Sequence, residues 1–314
     1  MKQYKILASE SVQIPVEISD CMSIDVIDNL WKDSDLLAST AQYYDALIVR
    51  NMTQIDANLI DQLTSIKVIG RLGAGIENID ANYAKQKNIT VVYAPVQNTN
   101  AVAEYCVAQV FNAFRHLPEA MTEAQQGAWN RAKYLSTGRE INGSTIGVIG
   151  FGHIGKTFAE KMHALGANVL IHNRTASNIT APFQQIDLTT LLQKSDIVSL
   201  HLPGGEHTKD FINASNLKHM KSNAYLMNSS RGSIINEEAL LTALTANQLG
   251  GAILDVRSIE PATADKLAQH SNIYVTPHIA AFTQESQTEI SASVINDVLK
   301  VLQNDTPSYP VHLD

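Results

Sequence analysis

Three short segments in the second half of the chain carry the side chains that reduction of a carbonyl next to a carboxylate requires. They are Asn228-Ser229-Ser230-Arg231-Gly232, Asp255-Val256-Arg257-Ser258-Ile259-Glu260-Pro261 and Thr276-Pro277-His278-Ile279-Ala280. An arginine fork binds a carboxylate through paired N–H donors and can polarise the adjoining carbonyl. Hydride delivery to a carbonyl carbon leaves alkoxide character on its oxygen, so an acid must supply a proton, and histidine suits that task near neutral pH. A carboxylate beside the imidazole orients it and favours its charged form. Arg231, Glu260 and His278 are therefore the candidate catalytic set. Taken singly each has a plainer reading: a surface ion pair for Arg231, an exposed turn acid before Pro261 for Glu260, and a surface or core position for His278, one of 10 histidines.

A second constellation precedes them. The apolar run Thr145–Ile149 leads into Gly150-Phe151-Gly152-His153-Ile154-Gly155 and then a helical pattern through Leu165. Strand before and helix after make this glycine spacing informative for dinucleotide binding. Gly150 permits a tight turn, Gly152 lets backbone approach a pyrophosphate, and Gly155 lets the helix pack close to the strand. The pyrophosphate then sits among the N–H groups of the helix start. The next strand runs into His172-Asn173-Arg174-Thr175. An acid here would bind the adenosine ribose hydroxyls and mark NAD, but Asn173 occupies its place. A 2′-phosphate then meets no carboxylate, and Arg174 offers it a charge-assisted, bidentate partner. The pattern favours NADP over NAD; the alternative is a solvated Arg174 with NAD retained.

The elements that must position these residues follow a regular rhythm. Strand candidates are Tyr4–Ala8, Ala46–Val49, Lys67–Gly70, Thr90–Tyr93, Thr145–Ile149, Val169–His172, Ile197–Leu200, Ala224–Met227, Ala252–Asp255 and Ile273–Val275. Runs of Val, Ile and Leu without strict alternation mark strands buried on both faces, as in parallel sheets covered by helices, and their alternation with helices gives an α/β fold. Two long helical patterns interrupt the rhythm, one from about Asn100 to Leu117 and one from about Thr283 to Gln303. With 314 residues and roughly 100–200 residues per domain, two domains are expected. Residues 100–288 form the dinucleotide-binding domain; residues 1–99 with 289–314 form the substrate domain.

On these motifs the sequence resembles the D-isomer-specific 2-hydroxyacid dehydrogenase family, and within it the phosphoglycerate dehydrogenase-like members. The resemblance extends over almost the whole chain and includes Gly70-Arg71-Leu72-Gly73-Ala74-Gly75-Ile76-Glu77-Asn78-Ile79-Asp80 and Asn98-Thr99-Asn100-Ala101-Val102-Ala103-Glu104. It implies two doubly wound parallel-sheet domains, a Rossmann-type nucleotide domain inserted in a flavodoxin-like substrate domain, with the active site in the cleft between them. It implies substrate contacts from Ala74 and Gly75 backbone N–H groups, Arg71, Asn98, Arg231 and His278. Ser229, Ser230, Arg231, Asp255, His278 and Ala280 would surround the nicotinamide, Asp255 meeting its carboxamide. His201, Leu202, Pro203 and Thr208 would wall the adenosine end. A homodimer through the nucleotide domain, often using the helix that begins near Asn100, is also implied.

The reaction implied is transfer of a hydride between NAD(P)H and a small 2-oxo acid to give the D-2-hydroxy acid. Phosphohydroxypyruvate, hydroxypyruvate and glyoxylate lead the candidates. Arg71 would meet a distal phosphate or simply anchor its loop. Two departures bear on substrate preference: Arg257 replaces a frequent Phe, and Glu77 a frequent Asp. Glu260 argues against the related formate-oxidising branch, which pairs its His with Gln. A nicotinamide-redox-sensing, co-repressor-like binding protein on the same fold is the competing reading. The chain ends at Asp314, so no C-terminal regulatory domain, and no serine feedback through one, is expected.

Composition excludes other classes. A net charge of −8 lacks the basic footprint that nucleic acid demands. Cys21 and Cys106 are the only cysteines, too few for a disulfide framework and without metal-ligand spacing. The N-terminus lacks a signal-peptide apolar stretch, and no run approaches the roughly 18 apolar residues of a membrane helix. A cytoplasmic protein without membrane or metal is expected.

Overall fold

The computed structural model describes residues 3–14, 21–174, 179–263 and 266–312, which leaves Thr175 of the proposed cofactor set outside the described residues. The chain divides into two compact units, Met1–Asn98 with Phe282–Asp314, and Thr99–Ala281.

In the first unit five parallel strands, β1 (Tyr4–Ala8), β2 (Met22–Val26), β3 (Ala46–Val49), β4 (Val68–Arg71) and β5 (Thr90–Tyr93), lie in the order β2-β1-β3-β4-β5. This is the flavodoxin-like order. Successive residues of β1 point to opposite faces: Leu7 joins a core with Leu37, Leu59 and Ile60, while Ile6 and Ala8 join one built on Ile290, Val294, Ile295 and Val298. The latter four belong to the helix Gln284–Leu302, N-capped by the Thr283 hydroxyl, which accepts the Ser286 N–H. That continuous element carries residues 282–288 into this unit, so the division falls a few residues before the 288 expected from the sequence. Asp297, buried on the same helix, accepts the N–H groups of Ser308 and Tyr309 and the Lys300 ammonium. The tail so held pairs with the edge of β5 through Tyr93 and Val311, covering the sheet edge.

The second unit holds β6 (Thr145–Ile149), β7 (Asn168–His172), β8 (Gln184–Gln185), β9 (Ile197–Leu200), β10 (Tyr225–Asn228), β11 (Gly251–Leu254) and β12 (Ile273–Val275). They form one parallel sheet ordered β12-β11-β10-β9-β6-β7-β8. Counted from β6 this is the Rossmann order 3-2-1-4-5-6, extended by β12. The helix Thr99–Arg115 lays Val102, Ala103, Cys106, Val110 and Phe114 against Phe158, Ala159 and Met162 of the helix His153–Ala164. The long pattern expected to run to Leu117 stops sooner: His116 adopts a left-handed φ of 50°, and a new helix, Leu117–Gln125, starts with Pro118 in its first turn. Strands β2 and β8 were not foreseen. Both lie at sheet edges, and β8 is two exposed glutamines.

Candidate active site

The three catalytic candidates stand just beyond the carboxyl ends of the adjacent strands β10, β11 and β12, where open α/β sheets hold ligands. Asn228, buried at the end of β10, fixes the first segment. Its Oδ1 accepts the N–H and hydroxyl of Ser230 at 3.0 and 2.8 Å, and its Nδ2 donates to the Arg231 carbonyl at 2.8 Å. Arg231 Nη1 donates to the Ser230 carbonyl at 2.8 Å. Gly232 follows because a Cβ there would lie 1.8 Å from the Arg257 carbonyl carbon. The Arg231 turn therefore packs directly on the loop that carries Glu260.

Asp255 organises the third segment. Its Oδ1 accepts the Thr276 hydroxyl at 2.6 Å and the Ile279 N–H at 2.8 Å, and its Oδ2 accepts the Ala280 N–H at 2.9 Å. A carboxylate offers about four acceptor positions, and these bonds leave Oδ2 with one beyond the Ala280 N–H. His278, at a left-handed φ of 56°, donates its own N–H to the Asp255 carbonyl at 2.8 Å. Its Nδ1 lies 2.7 Å from Glu260 Oε2, and Glu260 Oε1 accepts the Arg257 N–H at 3.0 Å. Burial raises the Glu260 pKa, but the bonds from His278 and Arg257 and the charges of His278 and Arg231 outweigh it, holding the carboxyl below its ordinary range. With Nδ1 engaged, Nε2 is the ring nitrogen left to face a substrate.

The glycine turn has the geometry its spacing implies. Gly150 has a φ of 92°, and a Cβ there would meet the His201 carbonyl oxygen at 2.2 Å; one at Gly155 would meet the Gly150 oxygen at 2.1 Å. At Gly152, which precedes the helix His153–Ala164 and supplies no side-chain cap, a Cβ would meet nothing within 4 Å. An approachable helix start and the spare Asp255 acceptor fit a dinucleotide. The side chains of Phe151 and Ile154 pack on the core, while His153 is exposed. Asn173 follows β7, its carbonyl accepting Gln185 Nε2 at 3.2 Å, and Arg174 beyond it is exposed. His201 Nε2 lies 2.8 Å from Ser199 Oγ, and burial pushes the imidazole down to about 4. Leu202 packs on the core, and Thr208 uses its hydroxyl on the Pro203 and Gly205 carbonyls, closing its own loop.

In the first unit Arg71 ends β4, and its Nη1 donates to the Leu72 carbonyl at 2.9 Å. The guanidinium lies over Gly73, whose φ is 137°. Ala94 N–H donates to the Gly73 carbonyl, fixing the turn that presents Ala74 and Gly75. Asn98 Oδ1 is buried with no partner among the described residues. Sequence reasoning missed Glu10. Its carboxylate accepts the N–H groups of Arg50, Met52 and Thr53 and the Thr53 hydroxyl. The switch point between β1 and β3, a usual ligand crevice, is thus filled by the chain's own carboxylate. A lone acid in a polar stretch gave no signal of this. Among the described residues no group of three or more His, Cys, Asp and Glu could hold a metal ion, and no helix is long and apolar enough to cross a membrane.

Residues 107–280 match the family profile described as D-isomer specific 2-hydroxyacid dehydrogenase, NAD binding domain. The chain is 35% identical over 303 residues to a D-3-phosphoglycerate dehydrogenase of Synechocystis sp., covering 95% of this chain and 54% of the relative. It is 33% identical over 273 residues to a hydroxypyruvate reductase of Thermotoga maritima, covering 86% of this chain and 89% of the relative. The chain therefore spans about half the length of that phosphoglycerate dehydrogenase. A solved structure of an acyclic imino acid reductase in complex with NADPH and D-arginine superposes with a TM-score of 0.88 at 28% identity, covering 98% of this chain and all (100%) of that one.

Proposed function

Because the chain belongs to the D-isomer specific 2-hydroxyacid dehydrogenase family, we propose that it reduces a small 2-oxo acid to the D-2-hydroxy acid. The observation that carries this reading is the 2.7 Å bond between His278 Nδ1 and Glu260 Oε2, beside the Arg231 turn at the strand ends. A bound nicotinamide dinucleotide supplies the hydride. Arg231 pairs with the substrate carboxylate and polarises the carbonyl. His278 gives the proton on Nε2 to the oxygen as negative charge develops there, and Glu260 holds the ring and stabilises its charged form. Asp255 would accept the carboxamide N–H of the bound cofactor. The exposed Arg174 and the absence of an acid at Asn173 support NADP over NAD. Two free cysteines, Cys21 and Cys106, support work in a reducing compartment, the cytoplasm.

The test is a reductase screen of phosphohydroxypyruvate, hydroxypyruvate, glyoxylate and pyruvate with NADH and NADPH in parallel, repeated with an amine present to detect imine reduction. Turnover of a 2-oxo acid supports the reading. Cofactor binding without turnover of any of them turns it toward a redox sensor.

Arg71 bears on which acid is used. Its bond to its own loop and its place over Gly73 support the anchoring role. Arg71→Ala is expected to lower kcat/KM on phosphohydroxypyruvate and hydroxypyruvate by similar factors. A loss confined to the phosphorylated acid would instead make Arg71 a phosphate ligand.

A homodimer through the second unit completes the proposal. Phe111, Met121, Trp129 and Leu135 are large apolar side chains within one short stretch, exposed at 40%, 59%, 82% and 84%. Exposed apolar groups so concentrated mark association surfaces. Trp129→Glu with Leu135→Glu should yield monomers in sedimentation velocity. A double variant that stays dimeric moves the interface elsewhere.

A further inference from the structure

We propose that Tyr105 and Thr276 form a hydroxyl relay that positions His278 through the Asp255 carboxylate. The inference rests on the reductase reading above and adds two residues which that reading does not use.

Tyr105 lies on the helix Thr99–Arg115, and its hydroxyl is 2.6 Å from Thr276 Oγ1. Thr276 in turn donates to Asp255 Oδ1 at 2.6 Å. The direction of the relay follows from donor arithmetic. The N–H groups of Ile279 and Ala280 donate to Oδ1 and Oδ2 of Asp255, so both oxygens are acceptors. Thr276 has one hydroxyl hydrogen, which goes to Asp255, and so the Tyr105 hydroxyl must be the donor to Thr276. Burial, reinforced by the nearby Asp255 charge, pushes the Tyr105 phenol above its ordinary value, so the donor keeps its proton.

The relay ends at a strained residue. His278 holds a φ of 56°, which L residues seldom adopt and which persists only where the surroundings over-determine it. Here Asp255 is what determines it. The Asp255 carbonyl accepts the His278 N–H, and its carboxylate accepts the next two N–H groups along the chain. The position of Asp255 therefore sets where the imidazole stands and whether it meets Glu260. Packing alone would be served by a phenylalanine at Tyr105; only the hydroxyl reaches Thr276. The neighbouring residue of the helix, Cys106, lies 3.1 Å from Ser229 Oγ on the Arg231 turn. One helix thus touches two of the three segments that carry the proposed catalytic set, the Arg231 turn and the His278 segment.

Tyr105→Phe, Thr276→Val and Thr276→Ser in the full chain test the relay. A misplaced catalytic group loses up to roughly 10²-fold in rate. Tyr105→Phe and Thr276→Val are each expected to lower kcat about tenfold, with KM for the oxo acid changed less than about twofold, whereas Thr276→Ser restores most of kcat. Because the two act in one path, the double variant Tyr105→Phe/Thr276→Val should be no slower than Thr276→Val alone. Amide exchange at Ile279 and Ala280 should quicken in Tyr105→Phe without a change in Tm. Unchanged kcat, or additive losses in the double variant, overturns the relay; so does a lowered Tm with normal kcat, which marks a mere brace. If the wild-type protein reduces no oxo acid, the reductase reading fails by itself. The relay is then judged on exchange alone: faster exchange at Ile279 and Ala280 sustains it, and unaltered exchange ends it.

Discussion

Replacing His278 with alanine is expected to lower kcat by roughly 10²–10⁴-fold, the contribution of a positioned general acid. The loss should fall on kcat more than on binding of the reduced cofactor, because the turn at Gly150–Gly155 joins β6 to the helix His153–Ala164, whereas His278 follows β12, on the far side of β9, β10 and β11 in the sheet. Glu260→Gln should be milder, since an acceptor for His278 Nδ1 remains while the carboxylate charge is gone. The pH dependence expected is that of Glu260. Its folded-state pKa is depressed, so its stabilising charge is fully present above the ordinary carboxylate value of about 4.3 and is lost as pH falls through the lower folded value. The His278–Glu260 pair should accordingly hold together through mildly acidic solution. Steady-state rates across pH for the wild type and both variants decide the matter. A His278→Ala protein with near-normal turnover at saturating substrate removes His278 as proton donor.

Much of this site was legible before the fold was known, because its chemistry sits in compact segments at strand ends. Gly150, Gly152 and Gly155 were readable since each answers one steric demand, and Arg231, Glu260 and His278 since each follows an apolar run. What stayed hidden depends on contacts across the chain. Nothing in Thr276-Pro277-His278 announces a left-handed backbone, which exists only because Asp255 holds three N–H groups of that segment. Tyr105 sits beside the apolar stripe Ala103–Cys106 and reads as more of the same, while its hydroxyl finds a partner 171 positions away. Glu10 binds a loop some 40 residues later. The edge strands β2 and β8 were missed for another reason. Neither carries a continuous apolar run: Ser23 and Asp25 interrupt β2, and β8 contributes only Gln184 and Gln185. The division near 281 rather than 288 was hidden because the last helix follows the Ala280 segment with almost no linker.

Cofactor preference is the second large effect expected. NADPH should exceed NADH in kcat/KM, and the difference should reside mainly in Arg174. That residue is exposed just past Asn173 at the end of β7, the place where an acid would otherwise take the adenosine ribose hydroxyls. A charge-assisted bond to a 2′-phosphate is worth about 1.5–3 kcal/mol, and roughly 1.4 kcal/mol is tenfold. Arg174→Ala should therefore narrow the preference by about ten- to a hundredfold, through a raised KM for NADPH, with the rate on NADH little changed. Asn173→Asp acts from the opposite direction: it restores a ribose acceptor and repels the phosphate, so it should turn the enzyme toward NADH. The backbone needed for this exchange is already fixed, because the Asn173 carbonyl accepts Gln185 Nε2 from the neighbouring edge strand. Since the phosphate contact is between exposed charges, the preference should also shrink as salt rises and screens it. A wild-type bias toward NADH, or equal efficiency with both cofactors at low salt, would mean that Arg174 is only solvated and that NAD is the cofactor used.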